Sequence, residues 1–512
     1  MKRLGRVLVS RRFLVVLIAL LQIGLFFSLT FLLSSRAAYV YNILILLSVL
    51  GVVVVFDNDG MNPSYKIMWI LLMVIFPVTG GLLYVMFGNR RLTPKRAAAI
   101  EKVEALSDRA LIPQEGALHK MKEQLPGYLP HVRYLFGATR VPVYAGTEQE
   151  YFPEGELFFQ RFCEELEKAE KFILLEYYII DHGYMWDTIL DILKRKAAAG
   201  VEVKLLYDGF GCLFTLDEDY PEILSKYGIQ CAVFNPIRIN LHISDYMFLN
   251  HRDHRKICVI DGNVGFNGGL NLADEYINRK ERFGHWKDTA YMIKGPAVFT
   301  LTVTFSKVWQ IATGLSFPYE NYLPTVAYPT NGFVQPFADT PLDGQPVSEF
   351  AYLNIINRAK KYVYITTPYL VIDNELLTAL TLASKSGIDV RIITPGIPDK
   401  PYVYLLTQSY YKALLKAGVR IYEYTPGFIH SKMYLSDDEV AIVGSANMDY
   451  RSLYLHFESC GAFYGGPVTQ GVKADILDTF EKSREVMLED TLKVPLYKRA
   501  MQLVLRLFAP MM

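Results

Sequence analysis

Apolar and polar positions alternate in two different ways along the chain, and the change comes near residue 97. Before it, three segments without a charged residue, at 13–33, 39–56 and 67–87, are each close to the roughly 20 residues that cross a bilayer as a helix. After it, apolar runs of strand length alternate with stretches of helical periodicity, a pattern typical of α/β proteins. The sequence therefore predicts a membrane region over residues 1–96 followed by a folded α/β body.

Several features of the membrane region bear on its topology. A cleaved signal peptide is a poor interpretation of the first segment, which lacks a small-x-small cleavage site and precedes further apolar segments. The short link 34–38 makes the first two segments candidates for a re-entrant or interfacial arrangement, while Pro77, Gly80 and Gly81 make the third irregular, so the number of crossings stays open. Basic residues after the third segment favour a multi-pass protein of the cell membrane whose body faces the cytoplasm beside anionic lipid; they are Arg90, Arg91, Lys95 and Arg96.

Charge is divided unevenly along the chain. Residues 1–96 contain eleven basic and two acidic residues, a net charge of +9, whereas the remaining residues carry a net charge of −8. A mildly acidic body in a chain with 51% hydrophobic residues argues against disorder and against bulk electrostatic binding of nucleic acid. The five cysteines are scattered without a CxxC pair, so we expect reduced thiols rather than disulfides or a zinc site.

The body repeats itself. Two strand-like runs separated by a helical stretch occur twice, about 190 residues apart, as AEKFILLEYYII and AAGVEVKLLYDG at 169–180 and 198–209, then as AKKYVYITTPYL and SKSGIDVRIITPG at 359–370 and 384–396. This offset is far too long for a solenoid repeat. It predicts two homologous domains over 136–330 and 331–512, preceded by a linker over 97–135.

The first half carries an insertion that the second half lacks. Residues 237–253 are aromatic and irregular, and the equivalent stretch of the second half is only 427–429. Such an insertion is either a loop over a functional site or ordinary surface padding, and both interpretations stay open.

Each half contains the same set of polar positions at the same spacing. The sets are His254, Lys256, Asp261 and Asn271 in the first half, and His430, Lys432, Asp437 and Asn447 in the second. In a strand, a spacing of two residues places the histidine and the lysine on the same face. Recurrence of the whole set at equivalent positions of a repeat argues against coincidence and predicts two matching half-sites.

Two imidazoles, two ammonium groups and two amides suit the chemistry of a phosphodiester. Cationic and amide donors stabilise the charge on the non-bridging oxygens, while one imidazole attacks phosphorus and the other protonates the leaving alkoxide. We expect no metal or other cofactor, because a lysine beside each histidine opposes a cation and no carboxylate–histidine cluster is evident around them. The remaining histidines are interpreted as structural; they are His119, His131, His182, His242, His251, His285 and His456.

Over about residues 135–490, the two HxKx4D motifs with their GGxN and GSxN sequences resemble the HKD signatures of the phospholipase D superfamily. More narrowly, the chain resembles bacterial cardiolipin synthases in FPVTGGLLYVMFGNRR (76–91), NHRDHRKICVIDGNVGFNGGLNLADEY (250–276), FGHWKDT (283–289), TTPYLV (366–371) and SANMDYRSLYLHFE (445–458). Those enzymes typically have two amino-terminal spans, which match the second and third apolar segments. The first apolar segment is a departure from that pattern and affects the expected topology rather than the chemistry.

The resemblance implies two α/β domains related by a pseudo-twofold axis, with both motifs lining one cleft. It also implies transphosphatidylation: one phosphatidylglycerol forms a phosphatidyl-histidine and releases glycerol, and a second phosphatidylglycerol takes the phosphatidyl group to give cardiolipin. By the usual assignment His254 is the nucleophile and His430 the general acid and then base, although the pseudo-symmetry allows the reverse. Asp261 and Asp437 are expected to support the local fold. The acids Asp288 and Glu458 are candidates for orienting a histidine.

Membrane lipid is the substrate class that the sequence favours. The tail over 493–512 is basic and apolar without an acid, which suits either an interfacial helix on anionic lipid or a helix docked on the body. Rival interpretations are a membrane-tethered phospholipase D or phosphatidyltransferase with another acceptor and, from a different class, a non-catalytic lipid-binding scaffold. Nucleic acid is not an expected partner, and the sequence gives no indication of the oligomeric state.

Overall fold

The computed structural model describes residues 35–58, 60–88, 94–236, 250–328 and 332–511. The apolar segment 13–33 and residues 237–249 of the insertion lie outside the described residues. The chain divides into two compact units at residues 94 and 95. All five cysteines are free.

The first unit is helical. Its helices are α1 (Ser35–Phe56), α2 (Pro63–Ile75) and α3 (Pro77–Leu83), and a π-helical turn follows at Tyr84–Gly88. Helix α2 ends before Pro77 because a proline disfavours helical backbone in the residue that precedes it, and Phe76 has φ −129° and ψ 75°. The apolar segment 67–87 is therefore not one continuous helix.

Helix α3 packs closely against α2. A Cβ atom on Gly80 would lie 2.4 Å from the carbonyl oxygen of Leu72, so only glycine permits this approach. Ser48 of α1 donates a hydrogen bond to the carbonyl of Met73 in α2 at 2.9 Å. Among the residues that the structure describes, no helix is both long enough and apolar enough to cross a membrane. The transmembrane segments expected from the sequence therefore remain predictions.

The second unit begins with helices and a first α/β half. Its leading helices are α4 (Pro94–Ala110), α5 (Glu115–Gln124) and α6 (Leu129–Thr139). The elements of the first half are β1 (Glu148–Phe152), α7 (Gly155–Leu166), β2 (Phe172–Tyr177), α8 (Tyr184–Ala198), β3 (Glu202–Asp208), α9 (Tyr220–Ser225), β4 (Ile229–Phe234), β5 (Arg252–Asp253), β6 (Lys256–Ile260), β7 (Val264–Gly268), β8 (His285–Lys287), β9 (Ala290–Lys294) and α10 (Val298–Thr313).

A second half of the same kind follows. Its elements are β10 (Phe333–Asp339), α11 (Val347–Arg358), β11 (Tyr362–Thr366), α12 (Asn374–Lys385), β12 (Asp389–Pro395), α13 (Pro401–Ala417), β13 (Arg420–Tyr424), β14 (Gly427–Ile429), β15 (Met433–Ser436), β16 (Val440–Gly444), α14 (Tyr450–Tyr454), β17 (His456–Tyr464), α15 (Gly466–Glu481), β18 (Ser483–Val486), α16 (Leu488–Leu492) and α17 (Leu496–Leu507).

The two halves share one sheet topology. The strand order is β1-β9-β7-β6-β2-β3-β4 in the first half and β10-β17-β16-β15-β11-β12-β13-β18 in the second. In each, three parallel strands adjoin an antiparallel strand, β6 or β15, that begins just after the motif histidine. The duplicated α/β fold predicted from the sequence is therefore confirmed, with β18 added at the edge of the second sheet.

Burial on both faces explains the composition of the central elements. Strand β2, FILLEY, is buried throughout, as expected for a sheet covered by helices on both sides. Helix α10, VFTLTVTFSKVWQIAT, is buried on nearly all sides and contacts β2 and β6 of the first sheet and β10 of the second. This helix helps to hold the two halves together.

Two short strand pairs also connect the halves. Strand β5 pairs in parallel with the start of β17, where Arg252 is opposite His456. Strand β8 pairs in parallel with β14, where Lys287 is opposite Ile429. Each pair brings the residues before one motif histidine beside a strand of the other half.

Candidate active site

Each motif histidine is held by the opposite half of the body. The backbone N–H of His254 donates to the carbonyl of Phe457 at 2.9 Å, and that of His430 donates to the carbonyl of Lys287 at 2.7 Å. These bonds continue the two cross-half strand pairs. Tertiary pairing, and not the local motif alone, therefore fixes the positions of both imidazoles.

His254 is hydrogen-bonded to a carboxylate of the second half. Its Nδ1 atom lies 3.0 Å from both carboxylate oxygens of Glu458, and both side chains are buried. Because a carboxylate can only accept a hydrogen bond, Nδ1 carries the hydrogen and Nε2 keeps a free electron pair. Ser445 donates a further hydrogen bond to Glu458 and so fixes the carboxylate.

His430 has the matching arrangement with a carboxylate of the first half. Its Nδ1 atom lies 2.6 Å from Asp288 Oδ2, and Asp288 is fully buried. The ammonium group of Lys432 lies 2.8 Å from the same Nδ1 atom. We assign the imidazole hydrogen to the shorter contact with the carboxylate, which leaves Nε2 of His430 available as well.

The two motif lysines are buried beside the histidines. Lys256 donates to the carbonyl of His254 at 2.5 Å, and Lys432 donates to the carbonyl of His430. The ring of Tyr178 lies near Lys256, with 5.4 Å between Nζ and the ring centroid, and lies 5.0 Å from the His254 ring. Both ammonium groups are thus fixed next to the imidazoles, where an anionic phosphate would be stabilised.

The two motif asparagines are engaged within the protein. Asn271 accepts from the backbone N–H of Ile179 at 3.0 Å and donates to the hydroxyl of Tyr276 at 2.6 Å, so both ends of its amide are occupied. Asn447 donates to Asp449 at 3.0 Å, and its Oδ1 atom has no hydrogen-bond partner in the described residues. Through Tyr276, Asn271 lies beside His430, and its amide positions the Tyr276 hydroxyl.

The motif aspartates lie at the other end of the motif strands. Asp261 accepts hydrogen bonds of 2.7–2.8 Å from the backbone N–H groups of residues 170–172, and Asp437 accepts bonds of 2.7–3.0 Å from those of residues 360–362. Both have positive φ, 52° and 55°, in the turn after the strand. Although they are part of the motif, the structure does not bring these carboxylates to the histidines.

Burial and neighbouring charge shift the ionisation of the site. Burial, reinforced by the charges of Lys256 and Lys432, holds the pKa of His254 well below its ordinary value. Burial and Lys432 lower the pKa of His430 to about 4, although Asp288 opposes the shift. Burial lowers the pKa of Lys256 to about 7 and that of Lys432 to about 8. Near neutral pH both imidazoles are therefore uncharged before substrate binds.

Aromatic residues around His430 were not identified from the sequence. Tyr276 lies 5.7 Å and Trp286 5.4 Å from His430 between ring centroids. The hydroxyl of Tyr276 accepts from Asn271, so its own hydrogen is free to donate to a phosphate oxygen. Both residues fall within the stretches that resemble cardiolipin synthases. That resemblance is the sequence feature that could have identified them.

One group of metal-ligand side chains includes an active-site histidine. His254, His456 and Glu458 are buried and each offers a ligand atom within 4.8 Å of the others. The expectation that no carboxylate–histidine cluster surrounds the motif histidines is therefore wrong at His254, because the cross-half pairing assembles one from residues about 200 positions apart. A second group, acidic only, is Glu349, Asp373 and Glu375.

The fold and the site define a class of enzyme. Two copies of one α/β domain each contribute an imidazole, an ammonium group and a carboxylate. Each carboxylate orients the imidazole of the other half. This arrangement suits covalent transfer of a phosphodiester group.

Comparisons with known proteins identify the family. A family model described as cardiolipin synthase, PLD-like domain, matches residues 162–309 and 352–478, together more than half of the chain. A model described as phospholipase D-nuclease N-terminal matches residues 43–89.

Individual relatives agree with this. A cardiolipin synthase of Geobacillus sp. (strain WCH70) is 36% identical over 476 residues, which cover 92% of this chain and 93% of that protein. A protein of Streptococcus mutans described as uncharacterized is 42% identical over 473 residues, covering 90% of this chain and 100% of that protein. The crystal structure of phosphatidylserine synthase from Haemophilus influenzae shares the fold, with a TM-score of 0.57 at 16% identity over 74% of this chain and 97% of that one. The chain belongs to the cardiolipin synthase family of phospholipase D-type phosphatidyltransferases.

Proposed function

We propose that the protein converts two phosphatidylglycerol molecules into cardiolipin and glycerol through a phosphatidyl-histidine. The observation that carries the proposal is the crossed pairing of His254 with Glu458 and of His430 with Asp288. Each imidazole has a carboxylate on Nδ1 and a free Nε2, and His254 lies close enough to His430 and Lys432 for their charges to lower its pKa. A binding scaffold would need neither a nucleophile nor a second, oriented imidazole.

In the first step, Nε2 of His254 attacks the phosphorus of the donor lipid. A P–N bond forms, the P–O bond to the glycerol headgroup breaks, and His430 gives its proton to the departing oxygen. His430 acquires that proton because the bound phosphodiester places a negative charge beside it, which opposes the effect of burial on its pKa. Lys256, Lys432 and the Tyr276 hydroxyl stabilise the charge that develops on the phosphoryl oxygens.

In the second step, His430 acts as the base. It removes the proton from the terminal hydroxyl of a second phosphatidylglycerol, whose oxygen attacks phosphorus as the P–N bond breaks. His254 returns to its neutral form and cardiolipin leaves. Glu458 stabilises the positively charged imidazole of the intermediate, and Asp288 stabilises His430 when it holds the proton.

We further propose that the chain is a multi-pass protein of the cell membrane with its body on the cytoplasmic face. Residues 39–56 and 67–87 contain no charged side chain, and residues 43–89 match the amino-terminal family model. Many apolar side chains of α1 are exposed, among them Tyr39, Ile43, Leu46, Val53 and Phe56. Exposure of this kind is stable only in a lipid or protein environment.

The carboxyl-terminal helix is proposed to lie on the surface of an anionic bilayer. Helix α17 exposes its apolar face: Leu496 is 82% and Leu503 73% exposed, and Tyr497, Met501 and Val504 share the same side. The helix contacts α13, where Arg506 lies 4.6 Å from the ring centroid of Tyr410. Residues 493–512 contain four basic residues and no acid, so the charge is complementary to anionic lipid headgroups.

Product analysis tests the proposed reaction. The purified chain is incubated with phosphatidylglycerol vesicles without added metal, and lipids and free glycerol are measured by mass spectrometry. Equal amounts of cardiolipin and glycerol support the proposal. Phosphatidic acid with glycerol and no cardiolipin would indicate a phospholipase D that uses water as acceptor.

A further inference from the structure

A third imidazole adjoins the pair formed by His254 and Glu458. The rings of His254 and His456 have centroids 5.4 Å apart. The Oε1 atom of Glu458 lies 3.0 Å from Nδ1 of His254 and 3.6 Å from Nδ1 of His456. One carboxylate oxygen is thus shared between two imidazoles.

His456 faces the Glu458 carboxylate from 3.6 Å, which is beyond hydrogen-bond distance. Its side chain is 9% exposed, and neither ring nitrogen has a hydrogen-bond partner among the described residues. A buried polar group without a partner is unfavourable, and in a native protein it usually points to a ligand or a functional role. A ligand that bonds to a ring nitrogen of His456 would remove this unfavourable free energy of burial.

The geometry suits a metal ion. Ligand atoms around one tetrahedral Zn²⁺ are about 3.3 Å apart, given metal–ligand distances of about 2.0 Å. The two contacts of Glu458 with the imidazoles, 3.0 and 3.6 Å, are already close to this separation. Two imidazoles and one carboxylate form a donor set that zinc and similar transition metals prefer.

The opposite half-site lacks this feature. The position beside His430 that corresponds to His456 is filled by Trp286, also with 5.4 Å between ring centroids. An indole cannot serve as a metal ligand. The donor set is therefore specific to the His254 side.

We propose that His254, His456 and Glu458 form a binding site for a zinc-class divalent metal ion, and that occupancy of this site inhibits phosphatidyl transfer. The metal replaces the hydrogen on Nδ1 of His254, which passes to solvent, and it withdraws electron density from the imidazole that attacks phosphorus. It also takes the Glu458 carboxylate away from its role in charge stabilisation. The inhibitory part rests on the proposed function, whereas the binding part does not.

Binding is tested on the full chain in lipid nanodiscs with Zn²⁺ alone. X-ray absorption of the zinc-loaded protein is expected to show two imidazole ligands and at least one carboxylate oxygen. The His456→Asn variant is expected to bind Zn²⁺ at least tenfold more weakly, while His119→Asn, a change at an exposed histidine, leaves binding unaltered. A spectrum with one imidazole or none, or equal affinity of the wild type and His456→Asn, would overturn the site.

Inhibition is tested with the same proteins. The Zn²⁺ concentration that halves cardiolipin formation, measured against each protein's own metal-free rate, should rise at least tenfold in His456→Asn, and a chelator should restore the wild type. Equal sensitivity of the two proteins would overturn the inhibitory part. If His456→Asn does not fold, the absorption spectrum of the wild type still decides the binding part. If the wild type makes no cardiolipin, the proposed function fails while the spectrum still decides the site.

Discussion

The carboxylate of Glu458 lies 3.0 Å from Nδ1 of His254, although the two residues belong to opposite halves of the body. Asp288 takes the matching position against His430 at 2.6 Å, again across the halves. Each half therefore supplies the imidazole for one half-site and the acid for the other. One consequence is that neither α/β domain can form a complete half-site by itself.

Removal of either acidic charge should slow turnover. Glu458→Gln and Asp288→Asn keep an oxygen that accepts from Nδ1 but lose the charge that stabilises a positive imidazole. We expect kcat to fall on the order of 10²- to 10⁴-fold with little change in the amount of folded protein. Glu485→Gln makes the same chemical change in an ion pair with Arg420 at the sheet edge and serves as the control. Wild-type turnover in Glu458→Gln would show that the crossed pair is not used in the reaction.

The pH dependence of kcat/KM should differ from that of an enzyme whose histidines have ordinary pKa values. The pKa of His254 is well below its ordinary value, and that of His430 is about 4, so the His430 ring stays neutral in the free enzyme down to about pH 5. Lys256 and Lys432 lose charge as the pH passes their pKa values of about 7 and about 8. Because the first step needs His430 protonated and both lysines charged, we expect kcat/KM for the donor lipid to fall as the pH rises above about 5, and more steeply above about 7. An acid limb near pH 6.5 with no loss at high pH would contradict this account.

The motif aspartates should affect stability more than chemistry. Each accepts three backbone hydrogen bonds at the start of a neighbouring strand. Asp261→Asn and Asp437→Asn should each lower the free energy of unfolding by about 1–3 kcal/mol, because charge-assisted bonds are weakened. The folded fraction should turn over within a few-fold of the wild type. Denaturant unfolding measures the free energy of unfolding, and activity per folded molecule measures turnover. A variant that is stable but inactive would show that these aspartates have a catalytic role.

The carboxyl-terminal helix should respond to lipid charge. An environment-sensitive fluorophore on Leu503→Cys is expected to shift to the blue in nanodiscs rich in phosphatidylglycerol and less in neutral ones, because the exposed apolar face enters the interface. The same label on Lys498→Cys, on the polar face of α17, is the control. Identical spectra for the two labels in anionic and neutral nanodiscs would refute interfacial binding.

The sequence predicted the parts of the fold and site that depend on local patterns. The duplicated strand–helix–strand runs gave the two matching sheets, and the paired motifs singled out His254, Lys256, His430 and Lys432, whose catalytic roles stay a prediction. The family resemblance was also correct. The expectation that each histidine and lysine lie together in a strand was wrong, because the strands begin only at Lys256 and Met433, and both histidines lie in the preceding loops.

Features that depend on pairing across the halves could not be derived from spacing. Glu458 and Asp288 were only candidates, since nothing local links them to a histidine in the other half. His456 was interpreted as structural because its proximity to His254 arises from the pairing of β5 with β17. The amide of Asn271 was expected to bind substrate, but the fold turns it toward Tyr276.

Capture of the covalent intermediate tests the central claim most directly. The chain is mixed with labelled phosphatidylglycerol, quenched in alkali within one turnover, digested and examined by mass spectrometry. The account predicts a phosphatidyl group on His254 that is absent in His254→Ala and forms more slowly in His430→Ala, which lacks the acid of the first step. A phosphatidyl group on another residue, or cardiolipin formation at the wild-type rate in His254→Ala, would contradict it.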